Sequence, residues 1–272
     1  MPRYERILPL IGLVLMGLGL VLMVENINSF LFTIHLSAES DLYISMAWLI
    51  MLLLLAVMAI GTESVQPVEE ESPRARRLHP ESWIVPVLLV LAAFLFLGGP
   101  VFDLTVRAIG LALLGGLLLA ALVAQHYRED KRPAVRNASN LALDLLVYVT
   151  AFFLYSAIYG QRVRSLFSAT SIVVFSFLLA LALLYRHGGK GQTRLYAAVI
   201  GLCVGEVTWP LNYWVISGMF GGAFLLFVFY ATANPARLQL QGKLTWRAAL
   251  EYVVVGLVGI AGIGIYAFLW PR

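Results

Sequence analysis

Nine stretches of this chain are apolar over about the 20 residues that a helix needs to cross roughly 30 Å of bilayer hydrocarbon. They run over residues 7–24, 42–61, 83–98, 103–124, 140–159, 164–185, 195–214, 216–232 and 248–269. A chain built this way has no soluble core to hide in. Its 61% hydrophobic content and mean hydropathy of +0.86 exceed what a water-soluble fold of 272 residues can bury. Only 12% of residues are charged, against about 25% in a soluble domain. The expected fold class is therefore all-α, a polytopic transmembrane helical bundle of about nine helices. The third and eighth spans are short, so eight is the alternative count.

The basic residues set a direction. With the N-terminus in the cytoplasm, 15 of the 19 Lys and Arg residues fall on the inner side, from Arg3 and Arg6 through Arg186 and Arg194 to Arg237, Lys243 and Arg247. The outer side keeps Arg107, Arg162, Arg164 and Arg272. A bias of this kind on alternating loops orients membrane proteins. It predicts the N-terminus in and the C-terminus out. It also makes the net charge of +4 a topological signal, with no nucleic-acid partner implied. The first span has no small-residue cleavage pattern after it and reads as a retained helix.

Residues 63–82 are acidic, then basic, with Pro67, Pro73 and Pro80. They read as a flexible charged cytoplasmic linker. It would divide the chain into a two-helix membrane segment, 1–62, and a seven-helix bundle, 83–272. Phe30 to Leu36 is apolar but too short to span; it reads as an interfacial segment or a lid. Leu238, Leu240, Leu244 and Trp246 alternate in the last inner loop, which suits a small hairpin or an interfacial segment. Glycines recur at three- and four-residue spacing in the fourth, eighth and ninth spans, the pattern of closely packed membrane helices.

Familiar catalytic patterns fail on context. Glu69-Glu70 with Arg74 matches a prenyl-protein endopeptidase signature, but lies in the proline-rich loop and not on a membrane helix. His35 and Glu39 are too few for zinc, which takes three or four ligands. Cys203 is the single cysteine, so a multi-cysteine site is excluded. No catalytic residue, metal or cofactor is assigned.

The seventh span is the exception. Glu206 stands about eight residues from its outer end, roughly 12 Å deep at 1.5 Å per residue. An acid there must be paired, hydrogen-bonded or protonated. Pro210 removes the donor for the Glu206 carbonyl and predicts a kink. Trp209 and Tyr213 share a helix face with Glu206, and Asn212 adds polarity at the same end. Arg107, Tyr155 and Ser156 are expected at similar depth. These residues outline either an outer-half polar pocket, with Arg107 as partner for Glu206, or a structural polar knot. Asp144 and Glu251 read as anchors near helix N-termini.

Glu206-x-x-Trp209 and Glu251-Tyr252 resemble uncharacterised bacterial multi-pass membrane proteins carrying a domain of unknown function. That resemblance implies a bacterial cytoplasmic membrane and brings no activity. The expected role is an integral membrane protein without catalytic machinery: a subunit, assembly factor or lipid-facing scaffold. Its partners are bilayer lipid and other membrane-protein subunits. The alternatives are a transporter or small-ligand binder using the Glu206 pocket, and an enzyme on a lipid-linked substrate.

Overall fold

The computed structural model describes residues 4–24, 30–37, 40–65, 80–99, 102–128, 132–161, 165–186, 192–214 and 216–269. Among the described residues the chain forms nine helices and one short hairpin. The order is α1 (Tyr4–Val24), β1 (Phe30–Ser37), β2 (Ser40–Ser45), α2 (Met46–Val65), α3 (Pro80–Leu97), α4 (Leu104–Tyr127), α5 (Pro133–Gly160), α6 (Ser165–Tyr185), α7 (Thr193–Asn212), α8 (Gly218–Leu240) and α9 (Trp246–Leu269). Each expected span has its helix. Seven of them, α1, α2 and α4 to α8, are long and apolar enough to cross a membrane.

The all-helical expectation needs one correction. Phe30–Ser37 is a strand, paired antiparallel with Ser40–Ser45 so that Thr33 faces Tyr43 and Ser37 faces Ser40. Phe30, Phe32, Thr33 and Ile34 of one strand and Tyr43 and Ile44 of the other are aromatic or β-branched, and such residues favour a pleated ladder. Most of the proposed linker, residues 66–79 with Glu69, Glu70 and Arg74, lies outside the described residues.

Two further boundaries depart from the sequence reading. Helix α5 begins at Pro133, seven residues before the apolar run, because proline with its fixed φ suits the first helical position. Helix α8 continues to Leu240 and takes in Leu238 and Leu240 of the segment expected as a hairpin or an interfacial stretch, while Leu244 lies in the connection that follows and Trp246 opens α9. The end of α8 is chemically defined. Gly242 takes φ +65°, the Gly242 N–H donates to the Gln239 carbonyl, and the Lys243 N–H reaches back to the Leu238 carbonyl. This is a Schellman closure, which needs a residue that tolerates the left-handed region. At the start of α4, the Asp103 side chain accepts from the Val106 N–H at 3.0 Å, an N-cap that satisfies an otherwise orphaned donor.

The buried side chains form two clusters. One joins α1, α2, α3 and α4 around Val14, Leu18, Met51, Met58, Leu89 and Leu118. The other joins α3 and α4 to α5, α6, α7 and α8 around Tyr155, Ile172, Leu184, Val204 and Phe229. The first two helices therefore pack on α3 and α4, across the boundary that the linker suggested. Helix α3 is the shared wall, with Trp83, Leu91 and Leu95 touching both clusters. Ile84 through Val90 are all buried, so over that stretch α3 is apolar all round and shielded all round. That explains how its short apolar stretch, Ser82–Leu97, is tolerated.

Small residues set the closest crossings. Ser156 and Gly160 on α5 meet Gly218 and Gly222 on α8, four residues apart on each helix. Small side chains at that spacing let backbones approach and gain dispersion contact, the main attraction left between helices in lipid. Helix α7 meets α6 the same way. A Cβ on Gly201 would stand 2.8 Å from the Val173 carbonyl oxygen, and one on Gly205 would strike the Val173 side chain. Threonine hydroxyls inside the bundle turn back on their own helices, as Thr150 does to Leu146 and Thr208 to Val204.

Candidate functional site

The residues expected to line one pocket are divided between the interior of the bundle and its surface. Tyr155 is fully buried, and its hydroxyl shares a 2.7 Å hydrogen bond with Ser176 of α6. Ser156 is buried at the crossing with Gly222. Asn212 donates to the Ser168 hydroxyl at 3.1 Å, tying α7 to α6. Tyr159 lies 2.9 Å from the Leu211 carbonyl and 2.7 Å from that of Trp214. Its hydroxyl thereby ties α5 to the end of α7 and the turn after it, where both carbonyls also accept backbone N–H groups. Pro210 sits in the last turn of that helix, two residues from its end.

Glu206, Trp209 and Tyr213 do share a face, but it is the outer one: all three are exposed. Among the described residues none hydrogen-bonds to the Glu206 carboxylate or forms an ion pair with it. The physical reason is the rotation of α7. Its buried side carries Ala197, Ile200, Gly201, Val204, Gly205, Thr208 and Leu211. The glycines require contact with α6, and one residue further on the chain has turned by about 100°. Glu206 is carried outward as Gly205 is carried in. The rotation is the one that the close contacts of Gly201 and Gly205 with α6 require.

Arg107 has other work than pairing with Glu206. Its guanidinium donates to the Leu22 carbonyl at 2.7 Å and to the Gly99 carbonyl at 3.4 Å. These belong to the C-terminal ends of α1 and α3, where orphan carbonyls and the helix dipole favour a cation. The sequence suggested a carboxylate partner; the structure shows a staple across helix ends.

The charged cluster that does form lies at the other end of α5. Arg186 Nη1 donates to Asp144 Oδ1, and Arg237 Nη1 to Asp144 Oδ2, each at 2.9 Å. The Arg186 side chain is 2% exposed and also donates from Nε to the Ala182 carbonyl, closing the end of α6. One turn along α5, the Tyr148 hydroxyl accepts from Asn234 of α8 at 2.9 Å. Tyr148 packs on Phe229 and Tyr230, and Tyr230 on Tyr252 of α9. Asp144 is thus the hub joining α5, α6 and α8. It is not near a helix N-terminus as expected, because α5 starts eleven residues earlier, at Pro133. A signal existed: Arg186 directly follows an apolar run, and an acid inside a span calls for a cation.

With both carboxylate oxygens held by guanidinium groups, Asp144 is arranged to join helices. Its geometry does not present a base to a substrate. Among the described residues no group of three or more His, Cys, Asp or Glu is close enough to hold a metal.

Residues 26–266 match a family described as proteins of unknown function, DUF5656. The chain belongs to that family. The family match takes in the hairpin and α2 through most of α9, so both polar clusters lie inside it. No curated protein and no solved structure matches the chain.

Proposed function

We propose that this DUF5656 protein is a polytopic subunit or scaffold of an assembly in a bacterial cytoplasmic membrane, acting by binding other membrane proteins and not by catalysis. The observation that carries this reading is the position of Glu206. Glu206 is exposed on the surface of α7, a helix that packs on α6 and α8, and in a bilayer such a surface meets lipid or another protein's helix. The interior polar groups, in contrast, join helices to one another, as in Asp144 with Arg186 and Arg237, or Tyr155 with Ser176. The transporter and lipid-linked enzyme alternatives drew on a pocket whose members are divided between core and surface.

In this reading the chain crosses the bilayer nine times, with the N-terminus in the cytoplasm and Arg272 outside. The charge bias supports it, and so does the Asp144 cluster. Arg186 and Arg237 come from two different inner loops of the expected topology and meet at one end of the bundle. Reporter fusions after Arg136 and Arg194 should report cytoplasm, and one at Arg272 the outside. A cytoplasmic Arg272 defeats the odd count.

The functional reading is tested by the particle extracted from native membranes into polymer-bounded lipid discs. We expect the 30.0 kDa chain together with a second polypeptide in fixed stoichiometry. A particle containing this chain alone, in one copy or several, overturns the proposal.

A further inference from the structure

Resting on the subunit reading, the structure assigns the outer face of α7 as a docking seam for a transmembrane helix of another protein that carries a lysine or arginine at the depth of Glu206. Helix α7 packs on α6 and α8. Away from them, Leu195, Val199, Leu202, Glu206, Trp209 and Tyr213 are all exposed. Their spacing alternates four, three, four, three, four. That is the seam of a left-handed helix pair, in which each side chain enters a hole on the facing helix. Membrane helices commonly cross in this geometry.

The seam also states its partner's chemistry. Five of its positions are apolar or aromatic, and the sixth is a carboxylate. A single polar residue at a core position of such a seam selects partner and register. Glu206 lies six residues from the end of α7, about 9 Å along the axis, and no described residue satisfies it. A second copy related by a twofold axis would set Glu206 against its own kind, and two facing carboxylates oppose ionisation. A cation on the facing helix removes that opposition and supplies a charge-assisted hydrogen bond.

Cys203, exposed one turn before Glu206 and the single cysteine of the chain, reports on the seam. The purified full chain is reconstituted in phosphatidylcholine vesicles with a synthetic Leu-rich transmembrane peptide. The peptide bears one lysine at the Glu206 depth and one cysteine a turn away. Oxidative cross-linking to Cys203 should run about tenfold faster than for the same peptide with leucine in place of lysine, the scale of one interhelical hydrogen bond in a membrane. Glu206→Gln and Glu206→Leu should both erase that preference while keeping the thermal midpoint, since Glu206 supports no described contact. Equal rates for the two peptides, or a preference that survives Glu206→Leu, overturns the assignment. A dominant Cys203–Cys203 dimer also overturns it and gives the face to a second copy. If the peptides show no preference but native particles still hold a second polypeptide, the subunit reading stands and this seam is not its interface. If native particles hold this chain alone, the subunit reading itself fails.

Discussion

Asp144→Ala should destabilise the protein by about 3–5 kcal/mol, the cost of leaving one member of a buried ion pair uncompensated. The loss falls on Arg186, whose side chain is 2% exposed and cannot reach water without unwinding the end of α6 that it caps. Arg237 is 30% exposed and can turn outward, so Arg237→Ala should cost about 1 kcal/mol or less, as for surface pairs. Combining Asp144→Ala with Arg186→Met should restore much of the stability, because the orphaned charge leaves with its partner and methionine fills its volume. Thermal unfolding midpoints in detergent measure all three variants. An Asp144→Ala protein as stable as the parent, or a double variant no better than the single, would show that the cluster does not hold α5, α6 and α8 together.

Gly222→Ala should be worse than its one added carbon suggests. The new Cβ would stand 2.5 Å from the Ser156 backbone nitrogen and 2.6 Å from its Cα. Backbone cannot step aside as a side chain can, so α5 and α8 must separate along their whole crossing. Overpacking a core costs about 1–3 kcal/mol when side chains adjust; here the cost should reach the top of that range or pass it. Gly110→Ala is the calibrating control. Its Cβ would meet only the Leu97 side chain, at 2.6 Å, which has other rotamers. Gly116→Ala meets nothing within 4 Å and should be neutral. Yields of monodisperse protein in detergent should therefore rank Gly116→Ala above Gly110→Ala above Gly222→Ala. A different order would mean that the α5–α8 approach is looser than described.

The positions of the helices were legible because the bilayer imposes a length, and apolar runs of that length are visible in one dimension. Helix ends were less so. The apolar run marks where a helix meets hydrocarbon, whereas Pro133 and Gly242 mark where the backbone starts and stops turning, and those points lie beyond the run. The face that each helix turns inward was least legible. On α7 the cost of an exposed Glu206 argued for one rotation, and the fit of Gly201 and Gly205 on α6 produced another. The Asp144 cluster escaped the sequence because its members are 42 and 93 residues apart. The arginines were accounted for by the orientation rule, which explains on which side they lie and not what they touch.

Helix α3 has a consequence for how this family can change over time. A helix that faces lipid can exchange leucine for valine or methionine freely, because the solvent around it reshapes itself. Ile84 to Val90 face two finished walls instead, so a change that suits α1 and α2 must also suit α5 and α6. Substitutions there are confined to swaps of nearly equal volume. Variation should collect on the outward faces of α2 and α4, and α3, the least able of these helices to cross a membrane unaided, should be the slowest to drift.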